Sequence, residues 1–291
     1  MTTYFATQRA LLDEHLAAIA AEASMPDVLR PAIEAALHAP GKRIRGILTL
    51  AVGEALGARE TRLLDAAAGF EMIHASSLIL DDLPPLDDAQ LRRGLPALHR
   101  QVGEDLAILA AVALLNHGYA AIVKNHARLS PRRWPLAELL ERVFAAVGWD
   151  GTIGGEAVDL HSSAESLDFA TLEYIHSRKT GALFVAAAST GAILANAAPP
   201  ALRSVEAYAK NLGLAFQISD DILDVTGTAE RLGKDVGKDE GKLTFVKLAG
   251  IEGARQIAGE LIDTSLGAIA SLGAAGAPLR DLAQIVRGRM S

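Results

Sequence analysis

The chain has 291 residues, 50% hydrophobic and 22% charged, with a formal net charge of −7 and no cysteine. That balance excludes a disulfide-stapled fold and thiolate metal sites, and it argues against nucleic acid as the main partner. It is compatible with a phosphorylated substrate, because acids can recruit the cations that accompany one.

Residues 1–15 carry acids and lack a basic start followed by an apolar run, so they do not read as a secretory signal, and a cytoplasmic protein is expected. Good helix formers dominate throughout, aromatics are only 4%, and strand-like alternation is missing, so helix is expected almost everywhere. Gly41-Lys42-Arg43-Ile44-Arg45 follows Pro40 and opens an apolar helix. Helical spacing would put Lys42 and Arg45 on one face and rotate Arg43 away. The clearest helix runs from Arg62 to Leu80. Its residues Leu63, Ala67, Phe70, His74, Ser77 and Asp81 recur at steps of three and four, one stripe that starts apolar and ends in carboxylate. Pro84-Pro85 stops it, and Arg92-Arg93-Gly94 follows. Another helix should run from Glu104 to about Val123. It contains the most apolar stretch, Leu106 to Leu115, shorter than the ~18 residues needed to span a bilayer, so no stable membrane insertion is expected. Breaks fall at 148–151 and 197–200, and a last long helix should cover Val205 to Val225. The expected architecture is all-α: a single large helical bundle around a central cavity, one domain over residues 1–291.

Two acid clusters carry the chemistry. Asp81-Asp82-Leu83-Pro84-Pro85-Leu86-Asp87-Asp88 packs four carboxylates into eight residues, a repulsive arrangement unless cations are present. Six residues separate Asp81 from Asp87, and the two prolines allow the chain to loop and return one to the other. In Asp220-Asp221-Ile222-Leu223-Asp224, Asp220 and Asp224 are i,i+4 and share a face. Neither cluster holds the His or Cys of a zinc site, and all-oxygen ligands suit Mg²⁺. One such cluster alone would be an ordinary solvated helix face. Two of them, each ending an apolar helix, are not. Basic residues that would answer a diphosphate are Lys42, Arg45, Arg92, Arg93, Lys179, Lys234 and Lys242, with His74 on the stripe of Asp81.

Residues 74–94 resemble the first aspartate-rich motif of trans-isoprenyl diphosphate synthases, and 216–224 resemble the second. The segments 41–45, 154–160, 178–181 and 241–244 also look like family segments, in the family's order, so the likeness spans roughly residues 36 to 255. Residues 107–115 with 87–94 look closest to the geranylgeranyl diphosphate synthases of bacterial carotenoid pathways. The resemblance implies an isoprenoid-synthase fold, three Mg²⁺ ions, a homodimer, and two substrates, isopentenyl diphosphate and an allylic diphosphate. It implies that Asp81 and Asp87 hold two ions and Asp220 a third, with Asp224 helping through water and Asp82 and Asp221 orienting the ligands. Arg92, Lys179 and Lys234 would face the allylic diphosphate. Lys42, Arg45, His74 and Arg93 would face the isopentenyl one. Thr180, Gln217 and the Lys179 carbonyl would stabilise an allylic cation.

Departures are Phe245-Val246 where many relatives carry Tyr-Pro, Glu156 where Gln is usual, and Ala111-Val112 where many farnesyl synthases have an Asp. Ser76 and Ser77, small where farnesyl-making relatives often place rings, leave room for a further isoprene unit. They point to a twenty-carbon geranylgeranyl product, with Met72 and Phe70 as alternative floors. A Ser76→Phe change is expected to shorten the product to farnesyl. Rival readings are a class I terpene cyclase, a noncatalytic partner subunit, and a carboxylate-bridged metal bundle built on Glu71-x-x-His74 and Glu173-x-x-His176. The second diphosphate site argues against the first, the intact acid clusters against the second, and the idle aspartates against the third.

Overall fold

The computed structural model describes residues 3–162, 168–226 and 244–290. Helices α1 (Thr3–Glu22), α2 (Arg30–His38), α3 (Ile44–Ala55) and α4 (Leu64–Asp81) open the chain. A ribbon of β1 (Leu91–Arg92) and β2 (Leu95–Pro96) follows, then α5 (Leu98–Val102), α6 (Glu104–Leu129), α7 (Leu136–Val147) and α8 (Thr152–His161). Next come α9 (Phe169–His176), a π-helical turn (Ser177–Gly181), α10 (Ala182–Leu194), α11 (Pro199–Thr226), α12 (Phe245–Ala268, broken at Gly250) and α13 (Ala277–Gly288).

α4 is the axis of the bundle, packed against α3 on one side and α6 on the other, while α11 lies between α10 and α12. The main core draws on side chains from Phe5 to Met290, so the first and last helices share it. The α4–α6 seam is closed at backbone level. A Cβ on Gly69 would stand 2.7 Å from the Gly118 carbonyl oxygen, and one on Gly118 would stand 2.8 Å from that of Gly69. Only glycine permits this approach, and it tilts the stripe Gly69–Ile73–Ser76 onto α6.

The all-α expectation holds, with helix ends shifted by a turn or less at α4 and more elsewhere. α11 starts at Pro199 rather than Val205, because proline is tolerated in a first helical turn. α6 runs six residues past Val123, and Asn116 and His117 interrupt its apolar run without ending it. It is thus long and apolar enough to cross a membrane by length and composition, although 33% of its most apolar window is buried. Its outer face is bare: Ile108, Leu109 and Val112 are 43–57% exposed.

Candidate active site

α4 ends at Asp81, and the two prolines turn the chain back on itself. The Asp87 amide donates to the Asp81 carbonyl at 2.9 Å, and the Ala89 amide donates to that of Asp82 at 3.1 Å. The expected return of Asp87 to Asp81 is therefore present. Burial, then the nearby Glu156 carboxylate, pushes the Asp81 carboxyl up to about 7, with Asp87 adding to the effect and Lys179 and Arg92 opposing it.

Asp82 points elsewhere. It is buried, and Arg92 grips it in a forked ion pair, Nε lying 2.8 Å from Oδ1. Burial works against the Arg92 charge, but Asp82 more than restores it and holds its pKa above the usual value. Arg92 is delivered by the ribbon, whose two-residue turn, Arg93-Gly94, has positive φ at both positions (55° and 79°). That turn sends the Arg93 guanidinium to the α2–α3 loop, so close that a Cβ on Gly41 would meet it at 2.8 Å.

The loop brings the second group of cations. α3 begins at Ile44 and Arg43 is left-handed (φ 50°), so Lys42 lies outside the helix and the expected i,i+3 pairing with Arg45 is corrected. Arg43 does turn away: its Nε donates to Asp13 at 2.7 Å and its Nη2 to the Leu37 carbonyl at 2.8 Å. Arg45 lies over the Phe184 ring at 5.3 Å, and burial brings its pKa down to about 10. His74 faces Arg45 and Arg93, and burial followed by those charges holds its pKa far below the usual imidazole value.

Lys179 and Thr180 sit in the π-helical turn between α9 and α10, a local widening that occurs often at functional sites. Lys179 Nζ lies 2.7 Å from both Glu156 and Asp159 of α8. Burial works against its charge, but the two carboxylates outweigh burial and raise its pKa. The approach requires Gly155, where a Cβ would stand 2.5 Å from the Lys179 amide nitrogen. Thr180 Oγ1 donates to Gln217 Oε1 at 2.8 Å, and Gln217 Nε2 donates to Asp221 Oδ1 at 3.2 Å. Asp221 is buried and also accepts from the Phe245 amide at 3.1 Å, so Phe245 anchors the second acid cluster through its backbone.

Asp220, one residue before, is ion-paired with Arg289 just past α13. The Arg289 guanidinium also stacks on Phe216 at 4.3 Å, and Phe216 packs on Phe184 at 5.4 Å. A row Arg45–Phe184–Phe216–Arg289 thus joins the α3 cations to the second acid cluster. Partial burial lowers the Lys42 pKa, Arg289 lowers it further and Asp220 pulls it back, which puts Lys42 at the same end. Asp224 is half-buried one turn further along α11.

The structure brings together Asp81, Asp87, Lys179, Thr180 and Gln217 on one side, and Arg45, His74 and Arg93 on the other. Lys234 and Lys242 lie outside the described residues. Ser77 sits on the stripe of His74 and Asp81, its hydroxyl donating to the His74 carbonyl at 3.0 Å. Ser76 is ~100° around the helix, buried on the α6 side. Met72 faces away too, lining a cavity of ≈ 50 Å³ with Ile33, Leu114 and His117. Among the described residues, no three acidic or histidine side chains stand close enough as placed to hold a metal ion. Sequence reasoning missed Arg289 and Asp159. Asp159 carried a signal, three residues after Glu156 on the same helix face; Arg289 carried none.

The sequence profile of the polyprenyl synthetase family matches residues 26–271. A chloroplastic geranylgeranyl pyrophosphate synthase of Arabidopsis thaliana is 40% identical over 81% of this chain and 67% of its own. A farnesyl diphosphate synthase of Geobacillus stearothermophilus is 37% identical over 91% of this chain and 89% of its own. The solved structure of a geranyltransferase from Helicobacter pylori, complexed with magnesium and isoprenyl diphosphate, superimposes with a TM-score of 0.81 at 28% identity, covering 99% of this chain and 97% of the other.

Proposed function

The chain belongs to the polyprenyl synthetase family and is a prenyltransferase, and we propose that it condenses isopentenyl diphosphate head-to-tail with an allylic diphosphate (dimethylallyl, geranyl or farnesyl) to make geranylgeranyl diphosphate. The observation that carries the reading is the meeting of two unlike anion-binding groups. Asp81 and Asp87 stand with Lys179, Thr180 and Gln217, a set suited to a metal-bound diphosphate. Arg45 and Arg93, with His74 beside them, form a cationic group suited to a second one. A terpene cyclase has one diphosphate to hold.

Magnesium fits the donor set. Asp81, Asp87, Asp220 and Asp224 offer oxygen only, and the burial that, with the carboxylates of Glu156 and Asp87, pushes Asp81 up to about 7 is a cost that a divalent cation relieves. We assign Asp81 and Asp87 to two ions and Asp220 to a third, with Asp224 acting through water. Bound there, Mg²⁺ supplies Lewis acidity that draws electrons into the allylic leaving group. Asp82 is read as an orienting residue rather than a direct ligand, because Arg92 occupies its carboxylate.

The remaining steps belong to the chain. Lys179, with Arg92 and Lys234, balances the allylic diphosphate, whose C–O bond breaks with both electrons going to oxygen. Thr180, Gln217 and the Lys179 carbonyl aim dipoles at the resulting cation. Arg45, His74, Arg93 and Lys42 hold isopentenyl diphosphate with its double bond toward that cation. After the new C–C bond forms, the departing diphosphate takes the proton, so no side-chain base is assigned; Lys242 is read as a further phosphate contact.

A single domain over residues 1–291, a cytoplasmic location and a homodimer complete the reading. The bare α6 face, Ile108, Leu109 and Val112, supports the dimer. A carotenoid pathway is the expected setting. The farnesyl alternative is favoured by the Geobacillus stearothermophilus relative, which matches over most of both chains. The carboxylate-bridged metal reading fails, because Glu71 is buried on α4 while Glu173 is exposed on α9. Incubation with Mg²⁺, isopentenyl diphosphate and each allylic starter tests the proposal. A twenty-carbon product by mass spectrometry is expected, a fifteen-carbon one favours farnesyl, and hydrocarbon rings or no product overturn it.

A further inference from the structure

Glu71 is a buried carboxylate that no step above uses. It lies 3% exposed on α4, one turn before His74, and its Oε1 accepts from the backbone N–H of Gly46 across 2.8 Å. That N–H belongs to the first turn of α3, where amides have no acceptor in their own helix. The N-cap residue Arg43 supplies none, since its side chain is spent on Asp13 and the end of α2. A distant helix therefore caps α3. The fit is close: a Cβ on Gly46 would stand 3.0 Å from the Ala67 carbonyl oxygen and 3.1 Å from Glu71 Cγ.

The peptide unit that Glu71 holds is the one joining Arg45 to Gly46. Arg45 has few anchors of its own. Its guanidinium rests on the Phe184 face, and its Nε is buried with no hydrogen-bond partner among the described residues. A side chain anchored so lightly takes its position from its backbone. We infer that Glu71 is a positioning residue that sets Arg45 for the diphosphate of isopentenyl diphosphate by capping the Gly46 amide. The inference rests on the reading of Arg45, His74 and Arg93 as that diphosphate's subsite. The property used is reach rather than charge. The Glu71 charge also favours the charged forms of Arg45 and Arg93 through space, but the contact at hydrogen-bond distance is the one to the Gly46 amide, and the two variants below tell these effects apart.

Two variants separate reach from charge in the full-length protein. Glu71→Asp keeps the charge and withdraws the acceptor by one methylene; Glu71→Gln keeps the acceptor and removes the charge. Glu71→Asp is expected to raise the KM for isopentenyl diphosphate about tenfold, with kcat and the allylic KM little changed, the scale of one lost buried hydrogen bond. Glu71→Gln is expected to stay within about threefold of the unaltered protein. The reverse ranking, no change in Glu71→Asp, or equal losses for both substrates overturns the inference. Should Glu71→Asp not fold, hydrogen exchange over the first turn of α3 decides with Glu71→Gln: unchanged protection supports the cap, and faster exchange overturns it. Absence of product from the unaltered protein would count against the prenyltransferase reading alone. Binding of inorganic diphosphate by calorimetry, weakened by Glu71→Asp and kept by Glu71→Gln, tests Glu71 independently.

Discussion

Thr180 Oγ1 donates to Gln217 Oε1 across 2.8 Å, tying the π-helical turn to α11 one turn before Asp220 and Asp221. Because the amide oxygen of Gln217 is fixed by that donor, its NH₂ faces Asp221. The pair therefore holds two oriented dipoles in place before any substrate arrives. Thr180→Val keeps the shape and removes the donor. It should lower kcat about tenfold with little change in either KM, since a preorganised dipole acts on the developing cation and not on ground-state binding. Steady-state rates with geranyl or farnesyl diphosphate check this.

Arg289 sits where a cation would sit on Asp220. A metal ion at Asp220 would compete with it for the carboxylate. Arg289→Gln should therefore raise the affinity for Mg²⁺ in the substrate-free protein by several-fold, on the order of the weak net worth of a partly exposed ion pair. The same change should lower the metal-free melting temperature. Calorimetric titration with Mg²⁺ and a melting curve in EDTA read the two effects.

Ser76 and Ser77 are neighbours in sequence but face different partners. A ring at Ser77 enters the stripe below Asp81 and should shorten the main product by one isoprene unit. A ring at Ser76 is driven into α6 and should cost stability, typically ~1–3 kcal/mol for an overpacked core. Product analysis and urea unfolding of Ser77→Phe and Ser76→Phe distinguish the two. The opposite assignment of effects would return the floor to Ser76.

His176 is buried, and burial brings its pKa down to about 4, against 6.5 for a free imidazole. The unfolded chain therefore takes up a proton below pH 6.5 that the folded chain refuses until about pH 4. Stability falls as pH drops through that window, by on the order of 3 kcal/mol from this group. His74 has the same sign. His176→Gln should flatten the stability–pH curve between pH 6.5 and 4, which urea titrations at stepped pH would reveal.

The α4 stripe was legible because its period survives in the structure: His74, Ser77 and Asp81 do lie along one face. The return of Asp87 was legible because two prolines leave the chain little choice. The ribbon was not, since strands of two residues leave no alternation to read and depend on positive φ at Arg93 and Gly94. The π-helical turn adds a residue without any mark in composition. Arg289 meets Asp220 across 69 positions of sequence, and nothing local to the tail announces that contact. Lys42 and Arg45 show the remaining failure. Spacing arguments assume the helix has already begun, and here it begins between them.

The contact between Gly69 and Gly118 bears on how far the enzyme could be re-engineered. It lies twelve positions below Asp81, roughly 18 Å along α4. On that flank the boundary is peptide, not side chain. Trimming residues above it can hollow out the interior, but here nothing remains to trim, and any added carbon wedges the two helices apart. Evolution toward longer products would have to go around this seam, or separate α4 from α6.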